Sequence, residues 1–365
     1  MNEETSQQIV KQMYKTLIES LTLDTRLNIE AVPSYAIEIL SKISPRSRKT
    51  YDGSAIFIPD AIEGARVLDI GCGGGSLSFV LSKLVGPAGY VVGVDFSEDF
   101  IQLCQEETAY HMKEWGYSKP NCEFICSDVE KLLDFQLEPF DVIVSNGLMC
   151  LVHNKGKVIQ IISRLLKEGG EFYNSDIFSD TKQCEEVKAT PLFCCYGLSG
   201  AMVWSDLKEL TGPYGFSDPY LLYAADTFQF GTEKNKLDLR GVSYVCAVYR
   251  LIKLVPESTG QGAIVSYNGN YEKSQDFLKW DVDTIFKKDV PIKIDGYFAS
   301  LLAKTKFARF FTFEKYEGQL ISKRNQNPFS YLKELRESGS AYPKPIFPMD
   351  EEHNKYYEDA IKSVI

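Results

Sequence analysis

The chain has 365 residues, 44% of them hydrophobic and 13% aromatic, enough to bury a core in one large or two smaller domains. Its formal net charge of -10 argues against a nucleic-acid partner, because binding to a phosphate backbone favours a basic face. The sequence shows no signal-peptide pattern, no apolar run long enough to cross a bilayer, and nine cysteines without paired spacing. These features predict a cytoplasmic protein with a small-molecule substrate and no membrane partner.

Residues 1–50 are predicted to form a helical cap over the domain that follows. Apolar residues recur at helical spacing at Ile9, Met13, Leu17 and Leu21, and again between residues 36 and 40.

Residues 51–180 are predicted to form a Rossmann-like domain, because short apolar runs alternate with helical stretches. The predicted strands are Val67–Ile70, Tyr90–Asp95, Cys122–Cys126, Phe140–Ser145 and Glu171–Asp176. The predicted helices are Ser76–Val85, Asp99–Trp115 and Lys157–Leu166, the last with a stop at Lys167–Gly170. Parallel strands joined by crossover helices follow from this alternation.

Residues 181–255 are predicted to bind substrate and to complete the sheet with a hairpin of Tyr220–Thr227 and Val242–Leu254. Pro256–Gly262 is typical of a linker because it is rich in Gly, Pro and Ser. Beyond it, short strands and a helix at Tyr297–Thr305 predict a small α+β domain over residues 256–365.

A glycine-rich turn at Asp69–Gly75 closes the first strand and opens the first helix, where glycines allow a tight turn and close approach of a ligand. Asp95 ends the next strand, at the place where an acidic side chain accepts hydrogen bonds from a ribose diol. A nicotinamide dinucleotide site follows the same logic, but its fingerprint has a third glycine where Ser76 stands here. The pattern favours S-adenosylmethionine.

Two further strand ends are predicted to contribute to the cofactor site. Asp128 is placed to accept from the adenine amino group, the Val129 amide to donate to the ring, and Asn146 lies at the carboxyl edge of the sheet. The complete set of predicted cofactor-binding residues is Asp69, Gly71, Cys72, Gly73, Gly75, Asp95, Phe96, Asp128, Val129 and Asn146.

Three residues are candidates for catalysis. His153 follows the fourth strand and is a candidate base, or else a surface histidine at a helix N-terminus. Tyr51 and Tyr196 are candidates for enclosing the acceptor, although aromatic residues at such positions are as often part of the core. No metal site is predicted, because Cys122 and Cys126 fall within one strand and lack a second pair of ligands.

From Tyr14 to about Phe329 the sequence resembles the arsenite methyltransferases. The blocks that carry the resemblance are Tyr51–Pro59, Asp69–Gly75, Val144–Asn146, Leu166–Tyr173, Ser199–Trp204 and Ala247–Leu251. The resemblance implies a class I methyltransferase fold, with a mostly parallel seven-stranded sheet, a C-terminal domain and S-adenosylmethionine as the methyl donor.

The sequence departs from this family at the positions that matter for arsenic. The family binds trivalent arsenic through cysteine thiolates, and the matching positions here are Ser54, Gly147 and Gly197. Residues 1–71 also contain no cysteine. Because soft metalloids require thiolate ligands, we expect arsenite not to be a productive substrate and a small organic molecule to be methylated on nitrogen or oxygen.

Two alternatives remain open. In the first, Cys150, Cys194 and Cys195 form a shifted site that supports methylation of arsenite, selenium or a thiol. In the second, the chain is an inactive cofactor-binding protein with an interaction module at its C-terminus. The intact glycine turn and both Asp95 and Asp128 argue against the second alternative.

Overall fold

The structure is a computed structural model that describes residues 8–15, 32–51, 53–230, 238–254, 261–318, 320 and 324–349. In this part of the chain, no helix combines the length and the apolar character that crossing a membrane requires.

A twisted, mostly parallel sheet organises the larger part of the molecule. Its strands are β1 (Arg66–Ile70), β2 (Tyr90–Asp95), β3 (Cys122–Cys126), β4 (Phe140–Asn146), β5 (Leu166–Ser179), β6 (Met202–Val203), β7 (Tyr220–Asp226) and β9 (Tyr244–Ile252), whereas β8 (Phe228–Phe230) pairs elsewhere. The order is β3-β2-β1-β4-β5-β9-β7, with β6 beside β5. Strands β1 to β5 run parallel, and β9 is antiparallel to both of its neighbours.

Helices cover both faces of this sheet. They are α1 (residues 8–15), α2 (Ser34–Ser41), α3 (Pro45–Lys49), α4 (Ser76–Val85), α5 (Glu98–Trp115), α6 (Lys155–Leu165), α7 (Glu185–Ala189), α8 (Pro191–Cys195) and α9 (Asp206–Thr211). Helices α4 and α5 pack into the hydrophobic core on one face, and α6 packs on the other. Because both faces are covered, the central strands β1 and β2 are buried almost throughout.

A smaller α+β unit follows. It contains β10 (Ala263–Tyr267), β11 (Phe277–Lys279), β12 (Ile285–Lys287), β13 (Pro291–Ile294), α10 (Gly296–Ala303), β14 (Phe311–Lys315), α11 (Pro328–Ser338) and β15 (Phe347–Met349). Strands β13-β10-β14 form a three-stranded antiparallel sheet, β11 and β12 form a hairpin, and β15 pairs with β8. An aromatic core that includes Trp280, Phe286 and Phe298 holds this unit together.

The predicted α/β fold with a C-terminal α+β unit is confirmed, with an eighth strand, β6, that was not predicted. Strand β5 also begins earlier than predicted, at Leu166 rather than Glu171. Gly169 and Gly170 do not act as a helix stop, because both bond to the backbone of Lys253 and so belong to the strand. Strands β11 and β14 and helix α11 were likewise not predicted.

The N-terminal pattern holds where the structure describes it. Ile9 and Met13 are buried against the main core. Leu17, Leu21 and most of the predicted linker at Pro256–Gly262 lie outside the described residues. The predicted domain boundaries stay a prediction.

A buried charge cluster joins the sheet to the smaller unit. The Arg250 guanidinium on β9 lies 3.9 Å from the ring centroid of Trp280 and donates to the Trp280 carbonyl at 2.6 Å. Its Nη1 is 3.8 Å from Glu171 Oε1, and both side chains are 1% exposed. Lys306 forms a second ion pair with Glu171.

We predict that Arg250→Met lowers the free energy of unfolding by about 3 kcal/mol, because Glu171 loses a buried partner. Urea denaturation measures this loss. Lys208→Met, which breaks an ion pair whose side chains are 59% and 34% exposed, is the control and should change stability by less than about 1 kcal/mol. Equal losses in the two variants would contradict a structural role for the buried pair.

Candidate functional site

A cavity of about 630 Å³ opens at the carboxyl ends of the parallel strands, within the size range of small-molecule sites. Its wall is built from α1, the segment before β1, the turns that follow β1 to β4, and the region around α7 and α8. This is the edge at which ligands bind in open α/β sheets.

The glycines of the first turn serve two different purposes. A Cβ atom at Gly71 would lie 3.2 Å from Leu148, and one at Gly75 would lie 2.9 Å from the Cys104 sulfur, so protein atoms crowd both positions, and the φ angles of +73° and +82° also favour glycine. A Cβ atom at Gly73, where φ is +49°, would meet no described atom within 4 Å. Since Gly73 lines the cavity, the space that it leaves open is space for a ligand.

Asp95 connects β2 to the glycine turn. Its Oδ2 accepts from the Gly73 amide at 2.9 Å and its Oδ1 from the Ser97 amide at 3.0 Å. Burial raises the pKa of Asp95, and these backbone hydrogen bonds oppose the rise. A carboxylate has about four acceptor positions, so about two remain for a ligand in the cavity that Asp95 lines.

Asp69 and Cys72, at the start of the glycine turn, also line the cavity. Asp69 accepts a hydrogen bond from Ser78 Oγ at 2.5 Å, and burial raises its pKa to about 7. The Cys72 sulfur lies 3.7 Å from the Gly73 carbonyl oxygen. Asp69 is thus hydrogen-bonded to helix α4, and Cys72 contacts the glycine turn itself.

The far end of the cavity is formed after β2 and β3. Asp128 is exposed and caps the 3₁₀ turn that follows by accepting from the Glu130 amide at 2.9 Å. Val129 and Phe96 line the cavity beside it. The ring of Tyr14 in α1 packs edge-on against the ring of Phe96, with 6.3 Å between the ring centroids, so α1 forms part of the cavity wall here.

Asn146 attaches the segment before β1 to the end of β4. Its Oδ1 accepts from the Ser54 amide at 2.8 Å, and its Nδ2 donates to Tyr51 Oη at 2.7 Å and to the Ala55 carbonyl at 3.0 Å. Both donors of the amide are therefore used within the protein. Asn146 and Tyr51 line the cavity while holding one another in place.

Of the three positions at which the sequence departs from the arsenite methyltransferases, Gly147 lines the cavity, whereas Ser54 and Gly197 lie outside its wall. A Cβ atom at Gly197 would lie 2.6 Å from the Cys150 sulfur. The thiol of Cys150 therefore occupies the space that a side chain at position 197 would take. Cys150, Cys194 and Gly147 line the cavity, whereas Cys195 lies outside this wall.

Charged groups surround the Cys150 thiol. Asp176 Oδ2 accepts from the Cys150 amide at 3.0 Å. Burial raises the pKa of Cys150, Asp176 raises it further, and Lys155 opposes the rise. Lys155 donates to the Val152 carbonyl at 2.7 Å and lines the cavity. Lys155 could not be predicted as a cavity residue from the sequence, because a lysine at the first residue of a helix carries no functional signal.

Two of the predicted site residues do not face the cavity. Gly75 caps the N-terminus of α4, and the place of its missing side chain is turned towards Phe79 and Cys104. Tyr196 caps the C-terminus of α8, is 7% exposed within the main core and does not line the cavity, so its role in enclosing the acceptor stays a prediction without support from this geometry. His153 lines the cavity at its exposed rim. The described residues contain no group of three or more potential metal ligands.

Most of the chain is similar in sequence to known methyltransferases. Residues 62–216 match a methyltransferase domain, and residues 260–344 match an arsenite methyltransferase C-terminal domain. The mouse arsenite methyltransferase is 32% identical over 79% of this chain and 77% of its own length. That of Aquipseudomonas alcaligenes is 30% identical over 82% of this chain and 88% of its own length.

A solved structure has the same fold over most of the chain. The crystal structure of CrArsM, an arsenic(III) S-adenosylmethionine methyltransferase from Chlamydomonas reinhardtii, superposes with a TM-score of 0.74 at 28% identity and covers 79% of this chain and 99% of its own. The chain therefore belongs to the arsenite methyltransferase family, and it is an enzyme that uses S-adenosylmethionine as its methyl donor.

Proposed function

We propose that this enzyme methylates trivalent arsenic held by the thiol of Cys150. The observation that carries the proposal is the position of the Cys150 sulfur, in the cavity wall and in the space that a side chain at Gly197 would fill. The names of the relatives support the same substrate. This proposal replaces the expectation of an organic acceptor, which rested on Ser54, Gly147 and Gly197 alone.

For the cofactor side of the cavity, we propose roles for four residues. The remaining acceptor positions of Asp95 suit two ribose hydroxyls, and Asp128 with the Val129 amide suits the adenine edge. The open space beside Gly73 admits a ligand close to the backbone. When bound, the cofactor would supply a methyl group on a sulfonium: the lone pair of the acceptor would form a bond to the methyl carbon while the carbon–sulfur bond breaks and S-adenosylhomocysteine leaves.

On the acceptor side, Cys150 and Cys194 supply two sulfur atoms. Trivalent arsenic forms three bonds, so a free thiol such as glutathione completes the set. Each bond forms when an S–H and an As–OH group combine and release water, and the thiol proton leaves in that water. Burial keeps the Cys150 thiol protonated before binding, and this exchange requires no free thiolate in advance.

A second candidate is an organic amine or phenol as the acceptor. Gly147 lines the cavity and carries no side chain, and Tyr14 and Tyr51 lie in the cavity wall. His153 at the rim is the candidate base for such an acceptor. Assays with a panel of amines and phenols beside arsenite separate the two candidates.

We predict that Cys150→Ser lowers the formation of methylated arsenic by more than about tenfold, because even partners one step removed from a metal ligand contribute that much. Cys194→Ser should lower it as well. The assay contains arsenite, glutathione and S-adenosylmethionine, with detection of methylarsenic. Cys122→Ser is the matched control, because Cys122 is a buried cysteine in β3 that lies outside the cavity wall, and it should retain activity.

Two results would contradict the proposal. One is an unaltered protein that methylates an amine or phenol and leaves arsenite unchanged. The other is a Cys150→Ser variant that remains as active on arsenite as the Cys122→Ser control.

We predict that Asp95→Ala weakens the binding of S-adenosylhomocysteine by about 10- to 100-fold, because charge-assisted hydrogen bonds are lost. Calorimetry measures the affinity. Asp141→Ala is the control, since the Asp141 carboxylate also accepts from a backbone amide, that of Arg66 at 2.8 Å, and lies outside the cavity wall. Equal affinities of the two variants would remove Asp95 from the cofactor site.

We predict that Gly73→Val abolishes the binding of S-adenosylhomocysteine while the protein still folds, because the new side chain enters ligand space. Gly64→Val is the control. Gly64 also has a positive φ, +73°, and a Cβ atom there would meet no described atom within 4 Å, but it lies outside the cavity wall. Backbone strain is therefore matched, and normal binding by Gly73→Val would mean that no ligand approaches this glycine.

A further inference from the structure

One segment links the cavity to the C-terminal unit. We call residues 53–63 the wall segment, because Gly53 lines the cavity at its beginning. Asn146 holds this beginning through Ser54 and Ala55, and Ser175 Oγ donates to the Ala55 carbonyl at 3.2 Å. The wall segment is thus attached to Asn146 at the end of β4 and to Ser175 within β5, on the acceptor side of the cavity.

The other end of the wall segment is held by the C-terminal unit. The Ala61 amide donates to Tyr271 Oη at 3.0 Å, and Lys306 donates to the Asp60 carbonyl at 2.6 Å. Ala61 is 5% exposed and belongs to the same hydrophobic core as Trp280, Phe298 and their neighbours. The end of the wall segment is therefore built into the C-terminal unit.

The conformation of Ala61 shows that these contacts impose a shape. Its φ is +52°, in the left-handed region that residues with a Cβ atom rarely adopt. Such a conformation persists only where the surroundings hold it in place. The hydroxyl of Tyr271, bonded to the amide of this same residue, is part of those surroundings.

Lys306 connects the wall segment to the sheet as well. Besides the Asp60 carbonyl, its ammonium pairs with Glu171 on β5, the strand that also carries Ser175. One side chain of the C-terminal unit therefore contacts both the wall segment and β5. The residues proposed for the cofactor lie at the end of β2 and in the turns after β1 and β3, which the main sheet holds.

We propose that the C-terminal unit positions the acceptor side of the cavity, with Tyr271 and Lys306 as positioning residues that hold the wall segment. When either contact is lost, the wall segment becomes more mobile around Ala61, and this greater mobility extends along the segment to Ser54 and its hydrogen bond with Asn146. Acceptor affinity depends on these contacts, and cofactor affinity does not.

Hydrogen–deuterium exchange tests the mechanical part of this proposal with the full chain and no acceptor. Tyr271→Phe removes only the hydroxyl, and amides within residues 53–63 should then exchange at least about fivefold faster, as expected for the loss of one net hydrogen bond. Tyr267→Phe is the matched control. It also removes a buried hydroxyl of the C-terminal unit, whose bond goes to the Ser274 carbonyl within that unit, and exchange in the wall segment should not change.

Kinetics with arsenite and glutathione as the probe test the functional part, which rests on the proposed function. Tyr271→Phe and Lys306→Met should raise the KM for arsenite about three- to tenfold, while the affinity for S-adenosylhomocysteine stays within about twofold of the parent. Equal exchange in Tyr271→Phe and Tyr267→Phe, or equal losses of acceptor and cofactor affinity, would overturn the inference. If the parent produces no methylarsenic, the proposed function fails, and the exchange comparison alone decides the inference.

Discussion

The amide side chain of Asn146 joins the two halves of the cavity. Asn146 ends β4, next to the strand that carries the glycine turn, and its three hydrogen bonds hold Tyr51, Ser54 and Ala55. The side chain of Asn146 is partly buried, and its two donors and its acceptor oxygen are all satisfied by this segment, so this residue and the chain before β1 constrain one another. The position of the wall segment thus depends on a residue at the carboxyl end of β4, a central strand of the sheet.

The relation between Cys150 and Gly197 is a steric one. A side chain at position 197 would begin 2.6 Å from the Cys150 sulfur, closer than two such atoms pack, so this arrangement accommodates a side chain at one of the two positions only. Glycine at 197 and cysteine at 150 therefore form a coupled pair. The loss of a thiol at one position is compatible with its replacement by a thiol in the same space.

Much of the fold could be predicted from the sequence, because β1, β2 and β4 are mostly buried apolar runs separated by helices of regular periodicity. The glycine turn and Asp95 could be singled out in the same way, since both are local in the chain, and both line the cavity. The distinct roles of Gly71, Gly73 and Gly75 could not be found, because they depend on contacts with Leu148 and Cys104 in other elements. The position of the Cys150 sulfur beside Gly197 depends on packing between segments that lie far apart in sequence.

Tyr196 and strand β14 are two places where the sequence pattern does not report the tertiary packing. Tyr196 was placed in the site from its neighbourhood in sequence, but helix α8 turns its ring into the core. Strand β14 was missed because four of its five residues are exposed, so burial leaves little alternating pattern in the sequence. In both cases tertiary packing, which periodicity does not report, determines the outcome.

The electrostatics around Cys150 limit the roles that its sulfur can take. Burial and Asp176 both raise the pKa of this thiol, and the nearby Lys155 only opposes the rise. A thiol that receives the methyl group itself reacts as a thiolate, a form that this environment disfavours. A thiol that binds arsenic exchanges its proton for the new bond as water is released, so its resting protonated state is no obstacle. This environment therefore suits the proposed role of Cys150 as a ligand for the acceptor better than a role as the acceptor itself.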